Sequence, residues 1–169
     1  MEYELNGENA KKRTIHRDMI EEAIKMTNID RSRFHEFSKS KYDEVIRKFY
    51  YTFSDHNRYH SGMIALTAKS LHFKDSLDSY VVAGSYMEQN SWADYLNSIN
   101  SGLPINGNEK MYFIVSEGWV YEGYREEMFQ VLPKTDVWIA DFFIVSSKFD
   151  WFVAHDYIDG CASLYQKRK

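Results

Sequence analysis

The sequence predicts an α+β fold in which N-terminal helices pack on a mainly antiparallel sheet of about five or more strands. Three observations carry this. Apolar residues recur at helical spacing through the first third of the chain. From Lys110 onward, short apolar runs rich in β-branched and aromatic residues come in pairs separated by tight turns. Finally, "YFIVSEGWVYEGY" and "FFIVSSKFDWFVAHDY" share an F-I-V-S core, a turn and a Trp-led return, so the same hairpin is written twice with a helix between.

In chain order, residues 1–13 are polar and expected to be disordered, leaving 14–169 as a single α+β domain. Thr14 is placed to cap a helix reaching about Thr27, with Ile15, Met19, Ile20, Ala23 and Ile24 at helical spacing. Asp30 is placed to cap a short helix carrying Phe34 and Phe37. "SKYD" (40–43) has the form of a capping box with Asp for Glu, ahead of Val45, Ile46, Phe49 and Phe53 on the next helix. "SDHNRYHSG" breaks that pattern, and "MIALTAKSLHF" fits either a helix or the lead into a strand. "SYVVAGSY" reads as a strand, and Ser91 caps a helix whose Trp92, Tyr95, Leu96 and Ile99 share a face. After the loop "NSGLPINGNE" come the two hairpins, separated by the short helix "REEMFQVL", which Pro133 stops. The long apolar runs imply a sheet covered on one face by helices and partly shielded on the other.

The composition is that of a packed globular protein, with 44% hydrophobic residues, two prolines and eight glycines. Thirteen tyrosines, eleven phenylalanines and four tryptophans exceed what such a core needs, so some edge the sheet or offer binding area. The N-terminus lacks the apolar run of a secretory signal, and no segment approaches the about 20 apolar residues of a membrane span. A soluble, cytoplasmic protein without a membrane partner is expected. The single Cys161 agrees with a reducing compartment; it reads as a buried, inert thiol rather than as a nucleophile partnered by His155. The net charge of −4 is uneven: residues 81–160 hold four Lys and Arg against twelve Asp and Glu, a net −8, and the remainder carries +4. An acidic half disfavours a nucleic-acid partner, whose phosphates demand cations, and favours a basic protein or a metal.

Two clusters could carry chemistry. His56 and His60 are four apart, the spacing of paired helical metal ligands, with His155 or Asp156 as a conceivable third ligand for a metal-dependent hydrolase. No glutamate lies between them to act as base, and Arg58 would set a cation beside the metal. In "DWFVAHDYIDG", strand alternation sends Trp151, Val153 and His155 to one face and Phe152, Ala154 and Asp156 to the other, which splits the apparent His-Asp dyad. Asp150 and the Asp159-Gly160 pair suit turns. The G-x-S-x-G, G-x-x-x-x-G-K and G-x-G-x-x-G patterns and paired cysteines are missing, and no cofactor is expected.

Residues 111–160 resemble the C-terminal part of small bacterial immunity-type proteins and their relatives. The resemblance covers about the last third of the chain. It rests on Val120, Tyr121, Glu122 and Gly123, then Phe143, Ile144, Val145, Ser146, Lys148 and Trp151, mainly core and turn residues. It implies a cytosolic α+β protein that acts by binding, typically by neutralising a toxin, and it brings no catalytic residues. The expected function is therefore non-catalytic protein binding, with a basic toxin as a candidate partner. The alternatives are the His56/His60/His155 hydrolase and a structural or regulatory domain. On the binding reading the contacts are Trp119, Tyr121, Glu122, Tyr124, Asp150, Trp151, Asp156 and Asp159, with Trp151 equally suited to the core.

Overall fold

The computed structural model describes residues 4–5, 14–53, 63–64, 80–87, 91–135 and 141–167. In chain order these form β1 (Glu4–Leu5), α1 (Ile15–Thr27), β2 (Phe34–Glu36), α2 (Tyr42–Phe53), β3 (Met63–Ile64), β4 (Tyr80–Met87), α3 (Trp92–Gly102), β5 (Lys110–Val115), β6 (Val120–Tyr124), α4 (Arg125–Val131), β7 (Phe142–Ser146), β8 (Trp151–Asp156) and β9 (Cys161–Lys167). Among the described residues the fold is α+β, helices first and then sheet. Seven strands form one sheet in the order β2-β6-β5-β7-β8-β9-β4, and every neighbouring pair is antiparallel. The two predicted hairpins are β5–β6 and β7–β8, with α4 between them. Within the N-terminal segment expected to be disordered, β1 pairs in parallel with β3.

Helices lie on both faces of the sheet, not on one. Phe49 and Phe53 of α2 pack on Phe143 and Phe152. Trp92 and Tyr95 of α3 pack on Phe142 and His155, on the opposite face. The Tyr121 hydroxyl donates to Glu21 of α1 on that same second face (2.8 Å). Two-sided cover explains why β7 is buried along its whole length and reads as an uninterrupted apolar run. Among the described residues no helix is long and apolar enough to cross a membrane.

Local signals decided some elements and lost others. Ser91 caps α3 as expected, accepting the Asp94 N–H at 3.1 Å. Thr14 precedes α1, but its side chain makes no cap bond. Instead Glu117, from the β5–β6 turn, accepts the His16 N–H of the first helical turn (3.3 Å). The helix predicted for Phe34 and Phe37 is strand β2. Asp30 there closes a turn with the Ser32 N–H and hydroxyl (2.9 and 2.7 Å), and Arg33 O and Phe37 N–H extend the pairing with β6. The capping box at Ser40 does not form either, because Lys39–Lys41 is a 3-10 turn leading into α2. Strand β9 carries no signal that outweighs its polar residues. It exists because β8 and β4 pair with it on either side.

Candidate functional site

The sheet has two ends, and they divide the residues expected to bind. Strand β8 runs between Asp150, in the β7–β8 turn, and Asp156, where the β8–β9 turn begins. At about 3.4 Å per residue these two carboxylates lie roughly 20 Å apart. Tyr124 closes β6 at the Asp150 end, where it pairs with Lys110 and lies under the Arg33 guanidinium, 4.2 Å from the ring centroid. Asp159 lies in the β8–β9 turn at the other end. One surface cannot present all of them.

Four of the expected contacts are buried and bound within the fold. Trp119 packs edge-on against Tyr42, with the Arg17 guanidinium 5.5 Å from its ring centroid. Tyr121 stacks on Phe34 beside its hydrogen bond to Glu21. Glu122 holds Lys110 Nζ at 2.6 Å, a pairing that raises the ammonium pKa. Trp151 belongs to the core. Removing area from water is worth most for large rings, so Trp and Tyr on a sheet flanked by helices go inside.

The polar side chains around this region serve the same end. Burial alone would raise the Glu36 carboxyl, but hydrogen bonds from Arg17 and Tyr42 hold it below the usual range. Reciprocally, burial and then the Glu36 hydrogen bond push the Tyr42 hydroxyl far up. Such pairing satisfies charges that would otherwise be costly to bury.

His155 is 0% exposed. Its Nδ1 shares a 2.7 Å hydrogen bond with the Tyr95 hydroxyl, and its ring stacks on Phe142 at 4.5 Å with Trp92 at its edge. Burial pushes its pKa down to about 4, countered only in part by the charge of Asp156. The strand alternation read from the sequence holds: His155 faces α3 while Phe152 faces α2, so His155 and Asp156 form no dyad. Cys161 is half-buried and pairs in register with Asp156, one position away from the Ala162 that pairs with His155. The thiol and the imidazole therefore point to opposite faces. His56 and His60 lie outside the described residues. Among the described residues no three His, Cys, Asp or Glu side chains converge on a metal-sized site.

The β8–β9 turn presents two side chains that motif and spacing did not single out. Tyr157 is 46% exposed and Ile158 75%, on a turn held from below. Asp156 Oδ1 accepts the Ile158 and Asp159 N–H groups (2.9 and 3.1 Å), and Asp141 Oδ1 accepts the Tyr157 N–H (2.8 Å). Gly160 closes the turn at φ +59°. Turn tips normally carry small polar residues, so two bulky apolar side chains between aspartates were the available signal. A second, shallower feature is a groove of about 420 Å³ beside α1, floored by Met19, Ala23 and Met26 and rimmed by Asp18, Glu22 and Lys134.

A family model described as a family of unknown function, DUF6756, matches residues 12–169. Neither the curated proteins nor the solved structures contain a match.

Proposed function

The chain belongs to that family of unknown function, and from this premise we propose that it acts by non-catalytic binding of a basic protein at the β8–β9 end of its sheet. The observation that carries this reading is the exposed pair Tyr157 and Ile158 on a turn fastened by two aspartates. An aromatic and an aliphatic side chain held on an ordered tip supply anchor area at little entropy cost. Residues 149–160 contain no lysine or arginine, whereas the β8–β9 turn contains Asp156 and Asp159. Charge of that sign steers a cationic partner and disfavours an anionic one. The resemblance of residues 111–160 to immunity-type proteins makes a basic toxin the partner to assay first. The same reading places the chain in the cytoplasm, in keeping with its single cysteine.

The test is calorimetric titration of the full chain against basic proteins encoded beside it, toxin domains first. The double variant Tyr157→Ser/Ile158→Ser should weaken binding about 30-fold, on the order of 2 kcal/mol. Raising the salt should slow association. Either no binding by the unaltered chain or equal affinity of the double variant overturns the reading.

A further inference from the structure

We infer that Asp141, seated between the β5–β6 and β8–β9 turns, is the positioning residue that preorganises the β8–β9 turn as an interaction surface; the inference rests on the binding reading above. The two turns are remote in sequence and belong to different hairpins. They meet because β5 and β8 both neighbour β7 in the sheet, so the first residue of the β7 arm lies between them. Asp141 occupies that position and reaches both ways. Its backbone carbonyl accepts the Ser116 N–H (3.0 Å) at the start of one turn, and its side chain accepts the Tyr157 N–H (2.8 Å) at the start of the other.

Each turn is then secured by its own bonds. Gly118 N–H donates to Val115 O and Val115 N–H to Trp119 O in the first. Asp156 fastens Ile158 and Asp159 in the second. The Tyr157 N–H, which opens the second turn, is met by a residue from outside its own hairpin. That makes the Asp141 carboxylate a cross-strand latch on the segment presenting Tyr157 and Ile158. A tip already ordered in the free protein loses less entropy on docking. The partner this surface fits is a basic protein with a shallow apolar recess: the recess takes Ile158 and the Tyr157 ring, and its cationic rim lies over the acidic turn that carries Asp156 and Asp159.

Amide hydrogen exchange on the free full-length chain, followed residue by residue, tests the latch without any partner. Asp141→Ala should speed exchange at Tyr157 at least tenfold and also loosen Ile158 and Asp159, leaving β8 unchanged. Asp141→Asn keeps an acceptor oxygen and should restore the slow rate. Unchanged exchange at Tyr157 in Asp141→Ala overturns the inference. With a partner recovered by titration, Asp141→Ala should dissociate at least fivefold faster, whereas Asp141→Asn should mainly slow association; equal dissociation rates for Asp141→Ala and the unaltered chain also overturn it. Failure of every basic partner to bind refutes the functional reading instead, whatever the exchange data show.

Discussion

Acidification should cost this protein stability through one imidazole, that of His155. The side chain sits between Phe142, Trp92 and Tyr95, its pKa pushed down to about 4 by burial from an ordinary 6.5. The unfolded chain therefore takes up a proton at this residue before the folded one does. A group depressed in this way leaves stability untouched above about pH 6.5 and erodes it as the pH falls from there toward 4. About 2.5 pH units at roughly 1.4 kcal/mol each amount to about 3.5 kcal/mol for the full shift. The perturbation that isolates it is the double variant Tyr95→Phe/His155→Phe. Replacing both hydrogen-bonding partners by apolar rings strands neither of them. The single variant His155→Phe instead leaves the Tyr95 hydroxyl without its 2.7 Å partner and should cost about 1–3 kcal/mol at pH 7. Urea unfolding of the unaltered chain and the double variant at intervals from pH 8 to pH 4.5 is the assay. Carboxylates held below their usual range by hydrogen bonds, such as Glu36 and Glu127, also surrender stability at the acid end, but equally in both proteins. The unaltered chain should therefore lose about 2–3 kcal/mol more than the double variant across that range. Parallel curves would refute the reasoning, since they would mean that His155 is protonated as easily folded as unfolded.

Two further outcomes follow from backbone geometry. A Cβ at Gly123 would meet Arg33 O and the Phe34 ring at 2.6 Å and Phe34 Cα at 2.8 Å, so Gly123→Ala must push β2 off β6. We expect a loss of about 1–3 kcal/mol in urea unfolding, with faster amide exchange at Phe37, whose N–H is bonded to Val120 O. Phe149 holds φ +56° in the β7–β8 turn while its ring packs beside Tyr112 and under Lys48 Nζ at 4.6 Å. Phe149→Gly relieves about 1 kcal/mol of backbone strain and forfeits about 3 kcal/mol or more of ring burial. The variant should be less stable by about 2 kcal/mol, and a gain in melting temperature would contradict that balance.

The elements that bury apolar surface through local patterning are legible in the sequence. The four-residue spacing in α1 and α2, the Ser91 cap, both hairpins and the turn at Asp159-Gly160 all follow from periodicity and short-range hydrogen bonding within about ten residues. The division of His155 from Asp156 is legible too, because alternation is a property of a single strand. β2 and β9 are not. Phe34–Glu36 is extended because β6 offers it backbone partners from about ninety residues away, and a polar strand such as β9 has no reason to form until β4 and β8 flank it.

The sequence by itself determined the α+β class, the paired hairpins and the acidic character of residues 81–160. Tertiary structure alone decided which aromatic and acidic side chains face outward. By type and spacing, Trp119, Tyr121, Glu122 and Trp151 are as eligible for a surface as Tyr157 and Ile158. Helices on both faces of one sheet took the first four inside, while strand order brought Asp141 to the β8–β9 turn and held the last two in water. Local propensity acts over a few residues, whereas burial and strand order are settled by contacts between segments far apart in the chain, and these are absent from any single stretch of sequence.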